Sequence, residues 1–219
     1  MAVPDVNRRP YRSPKRAQQA ASTRASILDA AAQLFSSAGY THTTSASIAR
    51  NAGVSEAMVF AAFGSKAGVL QALINRAVVV EGDSDGLAST RDWAAAAGAG
   101  DARSSVAKFA ALTAAIQRRT WKLIELSRTA SDADPAMATM LTQGAANRRS
   151  DCRSFVVAAL AGSLRNQLSV EEAADILWAY SSADPYRLLV DGAGWSHDRY
   201  VTWLEDTLVA ALLEPPPAG

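Results

Sequence analysis

The tripeptide Ala52-Gly53-Val54 restricts this chain more than any other short stretch in it. It lies between two brief segments of helical spacing, Ser45 to about Asn51 and Ser55 to about Ala62. Gly53 supplies the backbone conformation that other residues resist. Small Ala49 lets the two helices approach, while Val54 and Val59 fill the joint. Thr44 is placed to cap the first helix and Ser55 the second, because a hydroxyl there accepts from an otherwise unpaired backbone donor. Two short helices crossing at such a turn present the N-terminal end of the second one outward. Its width suits the DNA major groove.

Helical periodicity continues on both sides, and no segment reads as a strand, so the spacing predicts an all-α fold. Before the turn, Ile27, Leu28, Ala31, Leu34, Phe35 and Ala38 recur at helical spacing from Ser22, and Gly39 stops them. After Gly64-Ser65 a longer helix opens near Lys66, with Val69, Leu70, Leu73, Ile74 and Ala77 on its apolar side. Glu81 to Asp101 is rich in Gly, Ser, Asp and Ala with only Trp93 as an anchor, and reads as a connection holding one short helix and as the domain boundary. Long patterns follow from about Ala102 to Ala130 and from Asp134-Pro135 to about Leu160. Ser169 and Glu172 have the form of a capping box, and they open a helix with Ile176, Leu177 and Tyr180. Asp184-Pro185 opens a short helix. Ser196 caps a final one bearing Tyr200, Trp203, Leu204, Leu208, Ala211 and Leu212. The expected division is a flexible basic arm over residues 1–21, a helix-turn-helix domain over 22–80 and a helical domain over 81–219.

A formal net charge of +1 conceals an asymmetry. Residues 1–80 hold nine Lys/Arg against three acids, and the remainder holds 13 basic and 18 acidic residues. A basic front fits contact with a polyanion; an ordinary uneven surface is the plainer alternative. The single Cys152 excludes an internal disulfide framework and suits a reducing cytoplasm. The opening residues lack the apolar run of a signal peptide. Two histidines, His42 and His197, lie far apart in sequence, and neither metal-ligand spacing nor a Gly-rich phosphate loop appears. The sequence therefore argues against an enzyme and implies no cofactor and no metal.

Thr43, Thr44, Ile48, Ala49, Ala52, Gly53, Val54, Ser55, Phe60, Phe63, Ser65 and Lys66 stand in register with a known pattern. Over about residues 24–76 the chain resembles the TetR family of transcriptional regulators. Ser169 to Trp178 and Gly194-Trp195-Ser196 extend the likeness to one group within it. The resemblance implies an N-terminal three-helix helix-turn-helix DNA-binding domain and a C-terminal helical bundle for ligand binding and dimerisation. It implies a homodimer, usually a repressor, that binds a near-palindromic operator and is released by a small-molecule effector. It also assigns Thr44 and Lys66 to phosphates, at helix starts where the dipole favours an anion. Ser55, Glu56, Ala57 and Met58 fall at the groove-facing end. There Glu56 suits a cytosine amino group, and Ala57 or Met58 a thymine methyl; for Glu56, an acid answering the helix dipole is an equal alternative.

Three departures stand out. Phe60 replaces the usual tyrosine, Ala62 a frequent polar residue and Ala46 a frequent arginine. The recognition helix is thus poor in phosphate donors, and Arg16, Arg24 and the other basic residues of the N-terminal arm are the expected suppliers. The departures also keep open a second reading: a helical ligand-binding or scaffold protein with weakened DNA binding.

In the second domain, Phe109, Leu112, Ile116, Trp121, Met137, Met140, Phe155, Trp178 and Tyr186 are candidate pocket walls, since small-molecule sites are mainly apolar and aromatic. Ordinary core is their alternative role. Arg118 and Arg119 are candidates to orient an acidic ligand. Trp203 and Leu208 on the final helix are candidates for the dimer interface, with self-contained packing as the alternative.

Overall fold

The computed structural model describes residues 14–79, 87, 90–132, 134–165 and 168–215. Among these residues there is no strand, and the chain divides into two compact units, 1–69 and 70–219. The division falls inside one helix, α4 (Lys66–Val78), rather than in the connection after residue 80.

The first unit contains α1 (Pro14–Ala38), α2 (Ser45–Ala52), α3 (Glu56–Phe63) and the start of α4. Helix α1 extends further back than the apolar spacing indicates. Residues 14–21, expected within a flexible arm, are its first two turns. The cause lies in composition: a proline is tolerated at a helix start, and Lys15 to Ala21 are strong helix formers without a breaker. Lys15 to Ala21 are exposed, and burial begins only at Ile27 and Leu28. The remainder of the expected arm, with Arg8, Arg9 and Arg12, lies outside the described residues. The small core joins Ile27, Ala31, Phe35, Tyr40, Ile48, Ala49 and Val59, with the Phe35 and Tyr40 rings stacked at 5.7 Å.

The second unit contains α5 (Arg91–Ala97), α6 (Ala102–Ser131), α7 (Pro135–Phe155), α8 (Val170–Tyr180), α9 (Ala183–Tyr186) and α10 (His197–Leu212). Helix α7 widens into π-helical turns over Val156–Leu160, and α9 does so over Arg187–Gly192. Polar caps set the boundaries. Asp134 accepts from the Ala136 amide ahead of Pro135, Ser169 and Glu172 form a reciprocal capping box, and Ser196 accepts from the Arg199 amide.

Trp93, Phe109 and Phe155 interlock at the centre of this unit, with centroid separations of 4.7–6.3 Å. Tyr200, Leu204, Leu208 and Leu212 of α10 are all 0% exposed, and α10 packs on α6 and α8 of the same chain. The expectation that Leu208 faces a partner is therefore corrected. A period of four along α10 supplies one apolar stripe, and the protomer's own core occupies it. Trp203, one position outside that stripe, remains half-buried. Among the described residues no single helix is long and apolar enough to cross a membrane, and no group of three or more His, Cys, Asp or Glu could hold a metal ion.

Candidate functional site

In the first unit two adjacent threonines divide the work of turning the chain into α2. Thr43 is buried, and its hydroxyl donates to the Gly39 carbonyl at 2.7 Å. Thr44 is exposed and forms a capping box with Ser47: its hydroxyl accepts from the Ser47 amide, and its own amide donates to the Ser47 hydroxyl, both at 3.0 Å. At the far end of α2, Gly53 adopts φ 68° and ψ 31°, the left-handed conformation. Its amide donates to Arg50, and that of Val54 to Ala49 at 3.0 Å, which satisfies the last carbonyls of the helix. A Cβ on Gly53 would meet open space, so backbone conformation alone demands glycine there.

The elbow leads straight into α3. The Ser55 hydroxyl accepts from the Met58 amide at 3.2 Å. Val59, 1% exposed, faces the core. Glu56, Ala57, Met58 and Phe60 face outward, with Met58 44% and Phe60 69% exposed. Water gains nothing from such apolar side chains, so their exposure marks a face suited to contact with a partner.

Two expected phosphate contacts are engaged within the unit. The Lys66 ammonium donates to the Tyr40 carbonyl at 2.9 Å and sits 4.0 Å from the Tyr40 ring centre. Arg24 donates to the Ala62 carbonyl at 2.5 Å and lies over the Phe63 ring at 4.3 Å. Both cations brace the helix-turn-helix. Arg16 is exposed on the leading turns of α1.

Residues 27–73 match the family model described as bacterial regulatory proteins, tetR family. That segment is a TetR-family DNA-binding domain. That match covers the DNA-binding head, and the protein is a DNA-binding transcriptional regulator. Over the whole chain, the TetR fold is shared with solved structures of low identity. A Rhodococcus sp. protein classed with the TetR-family transcriptional regulators is 18% identical, with a TM-score of 0.65, covering 88% of this chain and 99% of its own. NalD, the secondary repressor of the MexAB-OprM multidrug efflux pump in Pseudomonas aeruginosa, is 19% identical with a TM-score of 0.60, covering 90% and 98%. A protein from Saccharomonospora viridis classed as a transcriptional regulator, solved in complex with choline, is 22% identical with a TM-score of 0.65, covering 89% and 100%. No curated protein matches the sequence.

The expected pocket walls in the second unit scatter. Phe109, Phe155 and Tyr186 are fully buried in the central core, and Ile116 is also buried. Leu112, Trp121 and Trp178 are half-buried against that core, and Met140 is half-buried on α7. None of them lines the surface hollow formed by Ala102, Arg103, Gly162, Ser163, Leu164, Leu213 and Glu214. Met137 is completely buried. Arg119 donates to the Ala77 carbonyl in the last turn of α4 at 2.7 Å, while Arg118 is exposed.

Pattern reading missed a polar seam that brings α6, α7, α8 and α9 together. The Gln117 amide donates to the Ser181 carbonyl at 2.6 Å, and the Cys152 sulfur lies 3.7 Å from the Ser181 hydroxyl. Burial pushes the Cys152 thiol up to about 11, so it is un-ionised at neutral pH. Beside it, Arg128 forms a two-pronged ion pair with Asp184. Glu125 stands 3.8 Å from Arg128 and 3.9 Å from Arg187. Arg148 lies one helical turn before buried Cys152, over the Trp178 ring at 5.7 Å. That position was the available signal: an arginine one turn from an apolar position on a long helix.

Proposed function

We propose that this regulator is a repressor that binds a near-palindromic operator as a homodimer and leaves it when a small molecule enters the second unit. The outward face of α3 carries this reading. Val59 anchors the helix, and Ser55 to Met58 are exposed at its capped N-terminus. Thr44 and the exposed start of α2 provide a phosphate-binding end, and Arg16 adds charge along the exposed part of α1. Because Lys66 and Arg24 already hold carbonyls, their contribution to affinity is chiefly to fix the elbow.

Dimerisation through the C-terminal helices is supported by a half-exposed aromatic group on α8 and α10. Trp203 lies 6.1 Å from Tyr180 and 6.0 Å from Trp195, and Leu188 nearby in sequence is 56% exposed. Half-wet aromatics of this kind are typical interface anchors. Two copies would place two α3 helices on successive major grooves. Solved relatives include a repressor and a choline complex, which accord with repression and with a ligand in the helical unit. For a ligand to release DNA, it must bind the DNA-incompetent arrangement more tightly.

A gel shift on DNA flanking the chain's own gene tests the proposal. A site-selective, salt-sensitive shift with dimer stoichiometry is expected, together with release by a bound effector. No shift at low salt would favour the ligand-binding scaffold instead. Trp203→Glu should yield monomers in light scattering and abolish the shift.

A further inference from the structure

The polar seam holds more positive charge than it neutralises. Three guanidinium groups, Arg128, Arg148 and Arg187, surround two carboxylates, Glu125 and Asp184. Arg128 takes both Asp184 oxygens in its two-pronged pair. Glu125 is shared at 3.8–3.9 Å between Arg128 and Arg187. Arg148 has neither carboxylate within ion-pair distance, and its Nε is buried with no hydrogen-bond partner. The Arg187 Nε is buried without a hydrogen bond too, its ion pair with Glu125 spanning 3.9 Å. Two forked donors around Asp184 therefore hold buried N–H groups that make no hydrogen bond, and the three guanidiniums exceed the two carboxylates by one positive charge.

Taking an arginine out of water without its counterion is costly, and burial indeed holds Arg148 below the usual arginine value. The seam is nevertheless built with care. Trp178 supports the Arg148 guanidinium and is itself fixed by a 3.0 Å hydrogen bond from its indole to the Ala145 carbonyl. Arg187 sits where α9 widens into π-helical turns, a local irregularity that frequently accompanies binding sites. The seam opens to solvent along the Arg187 and Glu125 side chains, 39% and 43% exposed, with Arg148 more deeply placed.

We infer that this seam is the anion subsite of the effector site, and that the effector is an organic monocarboxylate whose carboxylate is held by Arg148 and Arg187. One excess positive charge calls for a monoanion. A planar guanidinium offers the paired N–H geometry that a carboxylate accepts. The inference rests on the proposal that the second unit takes a small molecule, and it adds the ligand's chemical class and the residues that read it.

The test uses the full chain without DNA, so its result is independent of whether operator binding is found. Acetate, benzoate and octanoate are each compared with the matching neutral amide, by thermal unfolding and by saturable change in tryptophan fluorescence. At least one carboxylate should raise Tm and alter fluorescence with saturation, while its amide does neither. Trp178→Phe should remove most of the fluorescence change. Arg148→Gln should weaken the carboxylate by about tenfold or more. Arg149→Gln, an exposed arginine paired with Asp175, should bind as the unaltered chain does. If Arg148→Gln fails to fold, Arg187→Gln supplies the same comparison. The inference is overturned if no carboxylate binds saturably, if acid and amide bind alike, or if a folded Arg148→Gln or Arg187→Gln retains full affinity. A carboxylate that binds as expected while no DNA shift is ever seen would leave the anion subsite standing and remove the repressor.

Discussion

Arg24 of α1 and Ala62 of α3, 38 residues apart, are joined by a 2.5 Å hydrogen bond from guanidinium to backbone carbonyl. The same guanidinium covers the Phe63 ring. A cation at the C-terminal end of α3 answers the helix dipole and satisfies a terminal acceptor. Arg24→Met should therefore lower the stability of the head by about 1 kcal/mol. DNA affinity should fall with it, but the dependence of log affinity on log salt should keep its slope. A slope shallower by about one unit would show that Arg24 neutralises a phosphate instead.

Gly68, in the first turn of α4, approaches the Phe63 backbone so closely that an added Cβ would collide with its carbonyl oxygen. Backbone on both sides leaves no flexible group to yield. Gly68→Ala should destabilise the head by roughly 2 kcal/mol or more. Gly53→Ala, which meets open space and strains only the left-handed backbone, should cost about 1–2 kcal/mol. Chemical denaturation of both variants gives the comparison, and a milder effect at Gly68 than at Gly53 would contradict it.

Phe60 projects from α3 at 69% exposure and has no polar atom. Phe60→Tyr adds a hydroxyl in water, so stability should change by less than about 0.5 kcal/mol. If the ring faces DNA, the hydroxyl should reach the backbone and tighten binding by about fivefold, the worth of one hydrogen bond. Equal affinities in fluorescence anisotropy would mean that the ring points away from the duplex.

Much of the head was legible because its determinants are local. Gly53 needs a positive φ, Thr44 and Ser55 cap the helices that follow them, and Val59 is the inward residue of a short helix whichever partner it meets. The start of α1 was hidden by Pro14, since a proline punctuates a loop and opens a helix equally well. Leu208 illustrates a harder limit: an apolar stripe reports that it is buried, not whether the burying surface belongs to the same chain. The polar seam was the least legible part. Arg128, Arg148 and Arg187 each look like solvated helix residues, and only the folding of α6, α7 and α9 against one another sets them around Asp184.

His197 opens α10, and its Nδ1 lies 3.2 Å from the Tyr186 hydroxyl. Desolvation first, and nearby Arg118 second, hold the imidazole below its ordinary 6.5, with only Asp198 opposing them. The positive end of the helix dipole acts in the same direction. The folded state thus prefers the neutral ring, and the unfolded chain binds the proton more readily. The stabilisation is complete above the unfolded value and is lost as pH falls through the depressed folded one. The His197 contribution to thermal stability should accordingly decline as pH falls from about 7 through the depressed folded value. His197→Asn, which cannot charge, should flatten that decline while leaving the more acidic limb in place. Parallel curves for the two proteins over this window would show that His197 is equally easy to protonate folded and unfolded.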